Sequence, residues 1–381
     1  MKTHADFMQY HVPDGQVFNN NKNLLEFQIP KSHKDWMEFR KLGFGASEQG
    51  TVQGCNDWEI LPTLLEKKIG VRLDQKTMNE RMLSGIMAES IILERWRFYD
   101  GTDTGYLENY LEGKKIREVL PVSSYIVNTK YPRLFVSLDG KAAPNQTHLS
   151  GVKIPKSFPV ECKTISMMEA KKWHEGIPAT YRYQIQQQML VTEVDYAELA
   201  TLEDGYKFTV HPFKKDEMMQ EQIITKTNDA WALWLKLIEM KQEMDHYYNH
   251  GEHAKADQIK SQYESIMPLP GDQEAFKDYY SSKMFNERNS FIGDITAFKL
   301  ATLRMKAAEA IKQLKSEQQQ YENLLMRSFV INQGEYMDFG KQGKLRYYKK
   351  DGGINYQFSF TGVKANIDKE AISTIINKIT E

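Results

Sequence analysis

Apolar positions change period several times along this chain, and each change marks an element. Residues 1–31 are polar and predict a loosely ordered lead-in. A helix then begins at Ser32, an N-cap residue type, with Trp36, Phe39 and Arg40 following on one turn. Gly43-Phe44-Gly45-Ala46-Ser47 breaks that helix and can start another, and residues 61–68 form a short helix that stops at Gly70. Between Met82 and Phe98 the apolar residues Met82, Ile86, Ile91, Leu93 and Trp96 recur near helical spacing, which puts Glu89 and Glu94 on a helix. Residues 121–127 and 134–138 read as strands, a polar insert covers 144–157, and Phe158-Pro159-Val160-Glu161-Cys162-Lys163 is a third strand. A Gln-rich helix over 179–191, strands at 196–202 and 206–211, and a long helix from Asp216 to about Tyr248 complete this part. Trp231, Trp234, Leu235 and Ile238 make the apolar stripe of that last helix.

Strands followed by helices in this order predict an α/β (α+β) fold, a mixed central sheet flanked by helices. Beyond residue 250 the character changes. Met267-Pro268-Leu269-Pro270-Gly271 punctuates the chain, and 296–329 is one long charged helix with Leu303, Ile311, Leu314, Leu324 and Leu325 but without the strict heptads of a coiled coil. Short strand-like runs at 345–348 and 356–360 flank Gly352-Gly353, and a final helix follows. The predicted division is a lead-in over 1–31, an α/β domain over 32–248, a long-helix accessory region over 249–335 and a small basic β/α region over 336–381, the last two being a C-terminal helical and small β extension.

Composition narrows the picture. With 381 residues, 41% of them hydrophobic, the chain can bury a substantial core. A net charge of −1 excludes a generally basic nucleic-acid coat, so any such surface must be a local basic lining. Cys55 and Cys162 are the only cysteines, too few for a disulfide framework or for the four thiolates of an iron–sulfur cluster. No apolar run approaches membrane-spanning length and the start has no apolar signal region, so the expected location is the cytoplasm, that of a bacterial host cell.

The chemistry centres on Glu161-Cys162-Lys163. Side chains alternate faces on a strand, so an acid and a lysine flanking one residue point to the same side. Asp139, in Ser137-Leu138-Asp139-Gly140, supplies a second acid from an earlier strand. Hard divalent ions choose carboxylate, carbonyl and water oxygens. Asp139, Glu161 and the backbone carbonyl of Cys162 are therefore candidate Mg²⁺ ligands, with Lys163 placed to orient water and offset charge in a transition state. The alternative is a surface strand with a weak ion pair. Glu89 could reach the metal directly or through water, or could be an exposed helical glutamate. Arg40 and Ser47 flank a glycine-rich bend suited to a phosphate, or Ser47 is simply an N-cap and Arg40 a surface residue. Gln184 and Gln188 share a helical face, where they can bind water or phosphate or be solvated glutamines. His246, His250 and His253 lack the further ligand of a zinc site and read as a helix end. Lys341, Lys344, Arg346, Lys349 and Lys350 with Tyr347 and Tyr348 read either as a phosphate- and base-gripping cluster or as an edge strand protected by lysines.

The order of these signals carries more than any one of them. Asp35-Trp36 and Arg40, Gly45-Ala46-Ser47, Gly85-x-x-x-Glu89, Ser137-Leu138-Asp139-Gly140, Glu161-Cys162-Lys163 and Tyr181-x-x-Gln184-x-Gln186 together resemble the lambda-exonuclease/YqaJ viral recombinase family over residues 32–245. The resemblance implies a restriction-endonuclease-like PD-(D/E)xK core and a Mg²⁺-dependent double-strand DNA exonuclease, 5′ to 3′, of a phage or prophage recombination system, with Mn²⁺ as a substitute. It implies that Asp139 and Glu161 bind metal, that Lys163 is the catalytic lysine, that Glu89 is the helix acid and Gln184 the active-site glutamine, and that Arg40 and Ser47 contact phosphate. Its implied partners are DNA ends, a single-strand annealing protein and further copies of the chain in a trimer. The sequence departs from the family in a longer loop between Asp139 and Glu161 and in the long stretch after residue 245. Rival readings are an endonuclease or structure-specific nuclease on the same fold, and a DNA-end-binding scaffold for an annealing protein.

Overall fold

The structure is a computed structural model that describes residues 6, 7, 10, 19, 21–72, 79–122, 124–147, 153–174, 176–268, 275, 279, 295–332, 336–338, 343–349 and 356–362. Two compact units, residues 1–284 and 285–381, divide the chain.

The first unit holds two mixed sheets. One has the order β1 (Leu24–Gln28), β4 (Ser124–Asn128), β5 (Tyr131–Ser137), β2 (Phe44–Gly45), and the other β11 (Lys207–Lys214), β10 (Tyr196–Glu203), β9 (Phe158–Ile165), β6 (Gly140–Ala142), β3 (Val119–Pro121). In the second sheet β10 runs parallel to β9, while β6 and β11 are antiparallel to their neighbours. The predicted mixed α/β class is the observed one. The chain leaves the first sheet at the end of β5 and enters the second at β6, and Leu138-Asp139 is the whole of that crossing.

Helices cover both faces of the second sheet. On one side α4 (Glu80–Trp96) packs Ile92, Leu93 and Trp96 on Val160, Cys162 and Ala200. On the other, α7 (Ala179–Thr192) packs Ile185 and Met189 on Ala197 and Leu199 and also on Ile126, Leu134 and Val136 of the first sheet. Each such fully buried aliphatic side chain contributes about 1.5–3 kcal/mol. Around these lie α1 (His33–Arg40), α2 (Gln49–Val52), α3 (Leu61–Ile69), α5 (Asp103–Leu111), α6 (Met167–His174), α8 (Glu217–Asn249) and α9 (His253–Ser265). Ser32 caps α1 by accepting from the Asp35 N–H, and Gly70, at φ 85°, closes α3 in the left-handed conformation that glycine adopts without strain.

Several expectations need correction. Residues 24–28 are not a loose lead-in but the strand β1, paired antiparallel with β4 from Leu24↔Asn128 to Gln28↔Ser124. The polar insert contains a small hairpin, β7 (Gln146–Thr147) with β8 (Lys153–Ile154). The boundary at 248/249 does not hold, because α9 folds back on α8 and Tyr263 and Met267 share a core with Trp234, Leu237, Leu64 and Leu65.

The second unit, taken by itself, holds a helix, Ile295–Asn332, and a three-stranded antiparallel sheet in the order β12 (Tyr336–Asp338), β13 (Gly343–Lys349), β14 (Tyr356–Gly362). Lys344, Arg346, Tyr347, Tyr348 and Lys349 lie on its middle strand, so the edge-strand reading of that cluster fails. Lys341, Lys350 and the predicted final helix lie outside the described residues.

Candidate active site

β9 has two chemically opposite faces. Val160 and Cys162 enter the apolar core under α4, and Glu161 and Lys163 face the other way. Both cysteines are free thiols, so Cys162 is packing rather than a crosslink.

Glu161 is 2% exposed, which requires its charge to be met by partners. Lys163 Nζ pairs with Oε1. Gln184 Nε2 donates to Oε1 at 2.5 Å and Gln188 Nε2 to Oε2 at 2.5 Å. These two glutamines are therefore neither solvated nor placed to bind water; they hold both oxygens of one carboxylate. The sequence showed their shared face but not its target. Gln187, also buried, donates at 2.9 Å to the carbonyls of Phe44 and Phe135, and Gln186 donates to the Lys214 carbonyl at 2.9 Å. Gln184, Gln186, Gln187 and Gln188 thus fix α7 to both sheets.

Asp139 reaches β9 from the crossing between the sheets. β6 ends its ladder with Gly140↔Val160, and the next outward donor of β9, the Cys162 N–H, is taken at 2.8 Å by Asp139 Oδ2. The carboxylate replaces a ladder partner, which fixes it against Glu161 and Lys163. Gly140 is needed beside it, since a Cβ there would lie 2.7 Å from Leu93 Cδ2 and 2.9 Å from Val119 Cγ2. Burial, with the Glu161 charge added to it, pushes Asp139 up to about 8. Burial works against the Lys163 ammonium, but Glu161 and Asp139 outweigh it and hold its pKa above the ordinary lysine value.

Glu89 is half-buried on α4, one turn from Leu93, and burial raises its pKa while the Lys163 charge opposes the rise. It also acts on Asp139 through its charge. Among the described residues, however, no three His, Cys, Asp or Glu side chains form a ready-made metal cage. The structure offers a close carboxylate pair with Glu89 at electrostatic range. That donor set suits a hard cation such as Mg²⁺, which binds through one or two carboxylates and keeps several waters.

Arg40 is paired within the protein. Arg40 Nη2 donates to Glu48 Oε1 at 2.7 Å, and Lys68 Nζ lies 2.9 Å from Glu48 Oε2, which also accepts from the Gly45 N–H at 2.9 Å. Burial alone would raise Glu48, but Lys68 and Arg40 hold it below the usual carboxylate range. Ser47 is exposed within a 3-10 turn, Ala46–Glu48, whose cap position is Gly45, so it is no N-cap. Sequence reasoning missed Glu48 and Lys68; the only signal was a charged triplet spread over three elements. His246 and His250 stack at 4.2 Å at the end of α8, with His250 Nδ1 2.8 Å from the His246 carbonyl, as a helix end. No helix among the described residues is long and apolar enough to cross a membrane.

The chain is similar to known proteins over this same region. It is 23% identical over 203 residues to an uncharacterized protein, YqaJ, of Bacillus subtilis strain 168; the match covers 52% of this chain and 56% of that protein, so the chain spans little more than half the length of its curated relative. Among solved structures, an alkaline exonuclease from Laribacter hongkongensis shares 16% identity at a TM-score of 0.41, over 56% of this chain and 99% of that one. A phage-related exonuclease from Haemophilus somnus 129PT shares 11% at 0.36, over 52% and 96%. Residues 35–195 match the family described as the YqaJ-like viral recombinase domain, and they contain Glu89, Asp139, Glu161, Lys163, Gln184 and Gln188.

Proposed function

We propose that this protein is a Mg²⁺-dependent double-strand DNA exonuclease that resects from 5′ ends in a phage or prophage recombination system. The observation that carries the reading is the meeting of Asp139, Glu161 and Lys163 at one point, with an amide clamp on Glu161 and Glu89 adding to the field. Mg²⁺, or Mn²⁺ in its place, would be held by Asp139 and Glu161 with the Cys162 carbonyl, and would supply Lewis-acid stabilisation of phosphoryl oxygens.

The chain's own groups do the rest. Gln184 and Gln188 keep Glu161 from turning away, so its oxygens present one fixed direction. Lys163, kept as an ammonium by two acids, donates to a phosphoryl oxygen and offsets the charge that builds there. Without a cation, Asp139 holds a proton below about pH 8, which it would give up to act as a ligand. Arg40 has N–H groups beyond the one given to Glu48, and with exposed Ser47 it would meet the DNA phosphate. The substrate is a duplex end, and the 3′ single-stranded tail left by resection would pass to a single-strand annealing protein, with further copies of this chain as oligomeric partners.

The test is digestion of linear duplex in Mg²⁺. Asp139→Ala and Lys163→Ala should each lower it by at least about a hundredfold while circular dichroism stays native. Undiminished digestion in either variant removes the site. Covalently closed circles should survive the wild type; their cleavage would instead identify an endonuclease.

A further inference from the structure

A cleft of about 160 Å³ adjoins this site, lined by the loop 55–58, by Glu169 and Trp173 of α6, and by the first turn of α7 including Thr180 and Tyr181. It neighbours the proposed catalytic amine through Tyr181, whose ring centre lies 5.8 Å from Lys163 Nζ. Trp173 and Tyr181 are paired at 5.0 Å, and Trp58 is 86% exposed. A bare indole on a rigid loop is unusual, since the ring leaves its apolar faces in water while its backbone is already fixed. The loop is indeed held: Thr180 Oγ1 donates to the Cys55 carbonyl at 2.9 Å, Trp58 N–H donates to Asn56 Oδ1 at 3.0 Å, and a Cβ on Gly50 would come 2.4 Å from Thr180 Cγ2.

The charges in the cleft say what fits it. Asp57 and Glu169 both line it, Glu169 paired with Arg81 Nη2 at 2.5 Å, and its described lining residues include no lysine or arginine to hold a phosphate. A nucleobase has flat apolar faces for indole and phenol rings and exocyclic amino groups that carboxylates accept. We propose that the cleft is a nucleobase subsite, in which Trp58 stacks on the terminal base of the strand being cut while the adjoining phosphate meets Lys163. The proposal rests on the nuclease reading, and its test separates the two.

Binding is measured by fluorescence anisotropy in EDTA, which prevents turnover, with a short labelled duplex that is intact, abasic at its 5′-terminal nucleotide or abasic at its 3′-terminal nucleotide. Wild type should bind the intact duplex about tenfold tighter than one of the abasic forms, the size of a single stacked base. Trp58→Ala should lose that factor on the intact duplex and on the other abasic form, but not on the abasic form that wild type already binds weakly, and Trp58→Phe should restore most of it. Trp58 is exposed, so truncation leaves the fold alone. Equal loss on all three duplexes, or no loss on any, overturns the subsite. Digestion of the intact duplex by wild type in Mg²⁺ is scored separately: digestion without base coupling removes the subsite alone, and base coupling without digestion removes the nuclease reading while the base-binding cleft stands.

Discussion

Glu161 and Glu198 are both buried glutamates on adjacent parallel strands, one register step apart, and they face opposite sides of the sheet. The ladder pairs Glu198 with Val160 and Leu199 with Glu161. Glu198 is fully enclosed: Arg117 Nη1 and Trp96 Nε1 each reach Oε2 at 2.7 Å, and the Tyr196 hydroxyl donates to Oε1 at 2.6 Å. Arg117 also lies over the Trp96 ring at 4.6 Å. Burial, followed by the Glu198 charge, keeps the Tyr196 proton in place, so every group in that cluster has a settled role. Glu161 is met by two neutral amides and a lysine that is a quarter exposed, with a second acid alongside. Burial alone therefore does not distinguish a structural carboxylate from a functional one. Glu198 is neutralised within the protein; Glu161, the carboxylate proposed to be functional, is fixed in position but left beside surplus negative charge.

The contrast can be broken most sharply by parallel substitutions. Glu161→Gln should remove Mg²⁺-dependent digestion by at least about a hundredfold and leave the melting temperature unchanged or higher. Glu198→Gln leaves the Arg117 guanidinium buried without a counter-charge, a loss of about 3–5 kcal/mol that should lower the melting temperature by about 10 °C while the rate per folded molecule holds. If calorimetry and digestion assays gave the same signature for both, the distinction would be void.

A smaller effect is expected from Gln188→Ala. Freeing Glu161 Oε2 should raise the Mg²⁺ concentration needed for half-maximal rate by about 10–100-fold, as for other loosened outer-sphere contacts. A metal titration of initial rates reads this directly; an unchanged midpoint would reduce the clamp to packing.

The gentlest test is pH. Asp139 titrates near 8 in the folded chain against an ordinary 3.8, so between those values the folded state keeps a proton that the unfolded chain has released. Stability of the metal-free protein should fall as pH rises through that window and level off above about 8. Asp139→Asn should remove the fall, so that its melting temperature in EDTA exceeds wild type by a margin that widens from pH 5 to pH 9, by about a few degrees. A constant margin across the range would contradict the burial of charge at this position.

Much of this site was legible in the chain because strand alternation is a strict rule. Glu161 and Lys163 had to share a face, and Asp139, expected from an earlier strand, lies in the two-residue crossing that enters beside them. Glutamines were harder, because a run of amides reads as a wet surface until a carboxylate is known to lie beneath it. The ion pairs of Arg40 were hidden for a similar reason: its partner Glu48 becomes adjacent only through the 3-10 turn, and Lys68 arrives from a separate helix. β1 was missed because its partner strand lies about a hundred residues further on, so nothing local marks it.

Gly140 sets the thickness of the layer between helix and sheet. With only a hydrogen at that Cα, Leu93 sits directly on the strand, and the helix that carries Leu93 carries Glu89 one turn earlier. How far that third acid stands from the other two is thus governed by a missing methyl group on the residue next to Asp139, and the glycine of Ser137-Leu138-Asp139-Gly140 acts as the site's ruler.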